Sequence, residues 1–162
     1  MIIIIMGVSG AGKSTIGLAL AIQLQAEFAE GDSYHPAENI EKMQRGEPLN
    51  DQDRFPWLDR MAAEINQWVS EQRHVVLACS ALKQIYRERL GIGRHPDIKI
   101  VYLRGDTTTI AKRIQTRNGH FMPPALLSSQ FQTLEEPKDA IIVDVSKNPE
   151  VIIGQIIDQL SN

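Results

Sequence analysis

The segment from Gly7 to Ser14, with the sequence GVSGAGKS, is the feature that most constrains the fold of this chain. It matches the pattern G-x-x-x-x-G-K-[ST] in full. It follows an apolar run at residues 2–6 and precedes a helical pattern whose apolar residues repeat every four positions from Ile16. A strand that passes through a glycine-rich turn into a helix directs its backbone N–H groups at one point, where they can bind phosphate. The context therefore predicts a nucleoside triphosphate site.

Each residue type in this motif has a chemical role. The glycines let the backbone turn tightly with its N–H groups facing inward. The ammonium group of Lys13 suits the outer phosphates and makes this residue a catalytic candidate, and the hydroxyl of Ser14 is a hard oxygen ligand suited to Mg²⁺. The predicted nucleotide contacts are Gly7, Val8, Ser9, Gly10, Ala11, Gly12, Lys13, Ser14 and Thr15.

The apolar runs of the chain predict a parallel sheet. Short runs rich in β-branched residues occur at residues 2–6, 75–79, 98–103 and 140–145, with a weaker short strand at 27–30. Strands of this kind are typical of sheets that are covered on both faces. Helical patterns lie between them, so the sequence predicts an α/β fold: a five-stranded parallel sheet with helices on both faces. Ligands of such sheets bind beyond the carboxyl ends of the strands.

Two further predictions concern the helices. Pro56 is predicted in the first turn of a helix, where proline is tolerated. The apolar stripe that includes Trp57 and Trp68 follows it and can serve the core or a dimer interface.

Length and composition exclude several classes of protein. The 162 residues suit one domain. The single cysteine, Cys79, excludes an intramolecular disulfide framework and fits a reducing compartment, so we expect a cytoplasmic protein. No apolar run approaches the ~20 residues that a membrane helix requires, and residues 1–6 are too short for a signal peptide. A net charge of −3 argues against a general nucleic-acid binder.

One acidic residue stands out at the end of a predicted strand. Motor and switch nucleotide hydrolases usually end a core strand with an aspartate that helps to hold Mg²⁺, but the run at 75–79 is followed by no acid. Asp32 follows the short strand at 27–30 instead. It could orient and deprotonate an acceptor hydroxyl, or hold Mg²⁺ through water. The alternative is that Asp32 caps a helix that starts near Pro36.

The charges are divided along the chain. Residues 27–64 carry ten acidic and four basic residues, whereas residues 83–117 carry nine basic and three acidic ones. The basic part includes Arg113 and Arg117 and leads into a segment bounded by glycine and proline, which is typical of a lid at about residues 117–125. A closing lid could place Arg117 on the transferring phosphoryl group as a catalytic residue and exclude water. An exposed basic helix followed by a simple turn is the alternative.

Six blocks of sequence have an order and spacing that are more specific than the phosphate loop alone. They are GDSYHPAEN (31–39), KMQRGEPL (42–49), DRFPWL (53–58), CSALKQIYR (79–87), HFMP (120–123) and LLSSQFQTLEEP (126–137). Together these blocks resemble the bacterial-type gluconate kinases (gluconokinases), relatives of shikimate kinase and adenylate kinase.

The resemblance implies a P-loop kinase with a lid that uses ATP and Mg²⁺ to phosphorylate the 6-hydroxyl of D-gluconate, and it suggests a homodimer. In that picture residues 32–73 form the acceptor-binding insertion, Asp32 faces the hydroxyl and Arg113 belongs to the nucleotide side. The implied acceptor ligands are Asp32, His35, Lys42, Arg54, Lys83, Arg87 and His120.

Two alternatives to a gluconate kinase stay open at this point. A kinase for a related sugar acid or polyol, such as an idonate-like compound or shikimate, would have the same fold and mechanism. A nucleotide-binding switch or regulatory module is a different class, and the position of Asp32 counts against it. The adenine is expected to border residues 145–149.

Overall fold

The computed structural model describes residues 1–116 and 124–162. In chain order the elements are β1 (Ile2–Met6), α1 (Lys13–Leu24), β2 (Glu27–Glu30), a short 3-10 helix (Gly31–Tyr34), α2 (Ala37–Gln44), α3 (Asp51–Ser70), β3 (Val75–Ala78), α4 (Gln84–Arg89), β4 (Ile98–Arg104), α5 (Thr107–Thr116), α6 (Pro124–Thr133), β5 (Ile141–Asp144) and α7 (Pro149–Leu160).

The five strands form one parallel sheet in the order β2-β3-β1-β4-β5. The central strand β1 pairs with β3 from Ile2 and Val75 onward and with β4 from Ile2 and Ile98 onward. All five residues of β1 are buried although neighbouring side chains point to opposite faces, so both faces of the sheet are covered. The predicted α/β fold is confirmed, and the predicted strands agree with the structure to within one residue at each end.

Helix α3 begins earlier than the sequence analysis predicted. The side chain of Asn50 accepts a hydrogen bond from the backbone N–H of Asp53, and the carboxylate of Asp53 accepts one from the backbone N–H of Asn50. This capping box starts the helix at Asp51. Pro56 therefore lies in the helix interior and not in its first turn, so the prediction for its position was wrong. The helix tolerates the loss of one backbone donor there.

The aromatic stripe of α3 belongs to the core. Trp57 is 2% exposed and Trp68 is 4% exposed within the single chain. The indole N–H of Trp57 donates to the carbonyl oxygen of Gly31 at 2.8 Å, which anchors α3 to the turn that follows β2. None of the helices in the described part of the chain is long and apolar enough to cross a membrane.

Candidate active site

The phosphate loop lies between β1 and α1, as predicted. Gly10 and Gly12 have φ values of +84° and +96°, which residues with a Cβ atom rarely adopt. A Cβ atom on Gly10 would also lie 2.7 Å from Cγ1 of Ile114 on α5. Gly12 is the N-cap of α1, so the helix opens at Lys13 with its first N–H groups directed toward the loop. The loop thus has the form that phosphate binding requires.

A carboxylate lies next to this loop, and the sequence analysis did not identify it. Glu30 is the last residue of β2, and its carboxylate accepts a hydrogen bond from the hydroxyl of Ser14. A hydroxyl and a carboxylate in contact are oxygen ligands of the kind that Mg²⁺ prefers. The described residues contain no cluster of three or more acidic, histidine or cysteine ligands, so a metal here would need phosphate or water oxygens as well. The sequence did offer a signal for this carboxylate, because Glu30 is an acidic residue at the end of the predicted strand at 27–30.

A cavity of about 410 Å³ opens beside the phosphate loop. Several of the predicted site residues meet in it, although they come from separate parts of the chain. Its polar lining comes from Ser9, Lys13, Asp32, His35, Gln44, Arg54, Ser80, Ser129 and Gln130. A volume of this order suits a small molecule and not a polymer.

Asp32 does not act as a helix cap. It lies in the 3-10 helix after β2, and α2 has Pro36 as its N-cap with no side-chain capping bond. The alternative interpretation of Asp32 is therefore wrong. Its side chain lines the same cavity as Lys13, where an acceptor hydroxyl and a phosphate could meet.

Arg54 brings a buried positive charge to the cavity. Its side chain is on α3 and the residue is 8% exposed. One guanidinium nitrogen donates to the hydroxyl of Tyr86 at 2.9 Å, and that hydroxyl donates to Oδ1 of Asp51 at 2.5 Å. The guanidinium also lies 5.3 Å from the centre of the Tyr86 ring. These contacts with Tyr86 hold one side of the Arg54 guanidinium in place. A guanidinium can donate two parallel hydrogen bonds, which suits it to binding a carboxylate.

The structure places two predicted acceptor ligands, Lys42 and Lys83, outside the lining of this cavity. Nζ of Lys42 is 2.7 Å from Oδ2 of Asp53, and Nζ of Lys83 is 3.0 Å from Oδ1 of Asp51. These ion pairs join α2 and the β3–α4 loop to the first turn of α3. The hydrogen bond from Tyr86 and then that from Lys83 lower the pKa of Asp51, and the hydrogen bond from Lys42 lowers the pKa of Asp53. Both lysines thus brace the helix that carries Arg54.

Arg87 is also outside the cavity lining and is almost fully buried. Its guanidinium donates to three backbone carbonyl oxygens, those of Ala81 at 2.8 Å, Leu82 at 3.1 Å and Glu135 at 2.8 Å. Its donors therefore hold the loop after β3 against the segment after α6. The structure does not place Arg87 in the lining of the acceptor cavity, so its role as an acceptor ligand stays a prediction.

Arg113 lies between the two loops expected to flank a nucleotide. Its guanidinium donates to the carbonyl oxygen of Val145, and Nη1 lies 3.9 Å from the position that a Cβ atom on Gly12 would take. It therefore bonds to the start of the 145–149 segment and lies near the phosphate loop. The predicted Arg117 and His120 lie outside the described residues, as does most of the predicted lid.

Comparison with known proteins identifies the family. The family model described as shikimate kinase matches residues 9–161. A gluconokinase of Gluconobacter oxydans (strain 621H) is 46% identical, with 96% of this chain and 88% of that protein covered. The chain belongs to the gluconokinase family. A crystal structure of a gluconokinase from Sinorhizobium meliloti 1021 is 41% identical with a TM-score of 0.87, covering 98% of this chain and 90% of that one. A sugar kinase from Janibacter sp. HTCC2649 is 41% identical with a TM-score of 0.91, covering 99% and 94%.

Membership of the gluconokinase family makes the chain a phosphotransferase and confirms the resemblance, the fold class and the enzyme class.

Gln130 contacts the phosphate loop, and the sequence analysis gave this residue no role. The backbone N–H of Ser9 donates to Oε1 of Gln130 at 2.7 Å, and Nε2 of Gln130 donates to the Ser9 hydroxyl at 3.1 Å. This double contact ties α6 to the phosphate loop at the cavity wall.

Proposed function

We propose that this chain transfers the terminal phosphoryl group of ATP to the 6-hydroxyl of D-gluconate, giving 6-phosphogluconate and ADP. The observation that carries the proposal is the meeting of Lys13, Asp32 and Arg54 in one cavity. An anionic acceptor with a hydroxyl at one end and a carboxylate at the other matches an acid near the phosphate loop and a buried guanidinium further along. The gluconokinases that this chain resembles support the choice of gluconate.

In the proposed reaction Asp32 accepts the proton of the 6-hydroxyl. The hydroxyl oxygen then bonds to the terminal phosphorus, and the bond from that phosphorus to the ADP oxygen breaks. Lys13 offsets negative charge on the phosphates. Arg117 is predicted to offset the charge on the phosphoryl group that is transferred. Arg54 binds the carboxylate at the far end of gluconate, which sets the distance of the 6-hydroxyl from the phosphate loop.

Ser14 and Glu30 are the residues that would hold Mg²⁺, and the bound ion would neutralise phosphate charge. Their contact across α1 and β2 supports this assignment. Asp32, acting through water, is the other predicted ligand, and its position in the acceptor cavity favours the role of base instead.

A panel of acceptors tests the function. Purified protein with ATP and Mg²⁺ is supplied in turn with D-gluconate, L-idonate, shikimate and D-glucitol, and products are identified by ³¹P NMR and mass spectrometry. We expect the highest kcat/KM for D-gluconate. D-glucitol is the control for the carboxylate, since it keeps the chain of hydroxyls without the negative charge. A higher kcat/KM for shikimate or D-glucitol than for D-gluconate would overturn the proposal.

We also propose a cytoplasmic homodimer, which the family resemblance and the single cysteine support. Light scattering during gel filtration would test the assembly, and a mass equal to the 18.2 kDa of one chain would contradict it.

A further inference from the structure

Asn39 connects the acceptor cavity to helix α3. Its side chain projects from α2 and the residue is 3% exposed. The amide nitrogen lies 2.8 Å from the carbonyl oxygen of Asp53 and 3.1 Å from Nδ1 of His35. A carbonyl oxygen can only accept a hydrogen bond, so the atom that faces Asp53 must be the NH₂ group and not the amide oxygen. The backbone of α3 thereby sets which way the Asn39 amide points.

The same geometry sets the tautomer of His35. The Asn39 NH₂ group has two hydrogens, and one of them is used by the carbonyl of Asp53. The second points at Nδ1 of His35, which must then accept. A neutral imidazole that accepts at Nδ1 carries its proton at Nε2.

His35 lines the cavity and has one ring nitrogen, Nε2, available to a ligand. His35 contributes to the cavity lining, yet within residues 1–116 and 124–162 no side chain or backbone group bonds to its Nε2 atom. Among those same residues no buried side-chain nitrogen or oxygen lacks a partner, so Nε2 must be reachable from solvent. His35 lines the cavity shared with Asp32 and Arg54, so a ligand in that cavity is the partner we expect for Nε2.

The surroundings of His35 keep the ring neutral and rigid. The imidazole stacks on Trp57 with ring centres 4.2 Å apart and an angle of 12° between the planes. Burial lowers the pKa of His35 to about 4, Asp32 on the 3-10 helix opposes this and Arg54 on α3 adds to it. A proton on Nδ1 would also face the hydrogens of the Asn39 amide.

We infer that Asn39 is a positioning residue that fixes His35 as the Nε2–H tautomer, so that His35 presents one uncharged hydrogen-bond donor to the acceptor. This inference rests on the proposed function for the identity of the acceptor. An uncharged donor beside Asp32 can bind a hydroxyl oxygen of the sugar acid without competing with Arg54 for its carboxylate. A donor held in one direction also discriminates among acceptors by the position of a single oxygen.

The tautomer is measurable directly. In protein labelled with ¹⁵N-histidine, two-bond ¹⁵N–¹H correlation spectra distinguish the Nε2–H, Nδ1–H and doubly protonated rings. The signal of His35 is assigned by its absence in His35→Gln. We expect the Nε2–H pattern at pH 7 in the wild type and a mixture of tautomers in Asn39→Leu. An Nδ1–H or imidazolium pattern in the wild type would overturn the inference.

Two substitutions of His35 test the donor without changing Asn39. The amide of glutamine reaches toward the position of Nε2, whereas the amide of asparagine reaches only toward that of Nδ1. For His35→Asn we expect kcat/KM for the acceptor to fall by about 10- to 100-fold, as when a buried hydrogen bond is lost, and a smaller loss for His35→Gln. KM for ATP should stay unchanged in both. Equal losses in the two variants would overturn the donor role.

These measurements separate the inference from the function on which it rests. If the wild type has the Nε2–H ring, Asn39→Leu has the mixture and the glutamine variant outperforms the asparagine variant, but another acceptor of the panel is preferred to gluconate, the proposed substrate is wrong and the role of Asn39 stands. If gluconate is phosphorylated and the ring has the other tautomer, the inference is wrong and the function stands.

Discussion

The hydroxyl of Ser14 in the first turn of α1 donates a hydrogen bond to the carboxylate of Glu30 at the end of β2. Helix α1 leads into strand β2 through a short turn. The contact joins the start of the helix to the end of the strand, at the carboxyl edge of the sheet. In the sequence, no acid that could bind the metal follows the run at 75–79. The structure offers a carboxylate on the neighbouring strand instead.

Glu30→Gln tests the metal assignment. The amide keeps the size and one oxygen but loses the charge. We expect the Mg²⁺ concentration for half-maximal activity to rise by about 10-fold or more, because loss of a group that only supports a metal ligand already weakens metal binding by that factor. Glu27→Gln, at the start of the same strand and paired with Arg73, is the matched control. Activity measured across a Mg²⁺ titration decides the question, and identical titration curves for Glu30→Gln and the wild type would remove Glu30 from the site.

Asp32→Asn separates catalysis from nucleotide binding. Asparagine fits the same space but cannot accept the proton of the acceptor hydroxyl, so we expect kcat to fall by about 10²-fold or more. ATP affinity, measured by calorimetry, should stay within about twofold of the wild type. Turnover close to that of the wild type would mean that Asp32 is not the base.

The strands and the phosphate loop were predictable because their signals are local. A central parallel strand is buried on both faces, and residues 2–6 accordingly read as an uninterrupted apolar run. The role of the basic residues was not predictable in the same way, since a sequence does not show which acid each base will meet. Lys42 and Lys83 were assigned to the acceptor, but the capping turn of α3 places Asp53 and Asp51 within reach of them.

Arg54→Lys and Tyr86→Phe test how the acceptor carboxylate is bound. Lysine keeps the positive charge but lacks the paired N–H donors of the guanidinium, so we expect KM for gluconate to rise by about 10-fold or more. Phenylalanine keeps the ring beneath the guanidinium and removes only the hydroxyl that orients it, so a smaller rise is expected. Steady-state kinetics with each substrate varied in turn will measure both effects.

The control for these variants is Arg89→Lys, because Arg89 pairs with Asp59 on the exposed side of the same helices. KM for ATP should be unchanged in all three proteins. If KM for gluconate is the same in Arg54→Lys as in Arg89→Lys, the carboxylate binds elsewhere.

Burial of His35 predicts a loss of stability in acid. Its pKa in the folded protein is about 4, whereas an exposed histidine titrates near 6.5. As the pH falls from about 6.5 to about 4 the unfolded chain binds a proton that the folded chain does not, so folding weakens over that interval. The difference in pKa corresponds to about 3 kcal/mol. Urea unfolding at a series of pH values should therefore give a steeper decline for the wild type than for His35→Gln, whose side chain does not titrate. Because the carboxylates are common to both proteins, parallel curves between pH 6.5 and pH 4 would contradict the assignment of a neutral, buried His35.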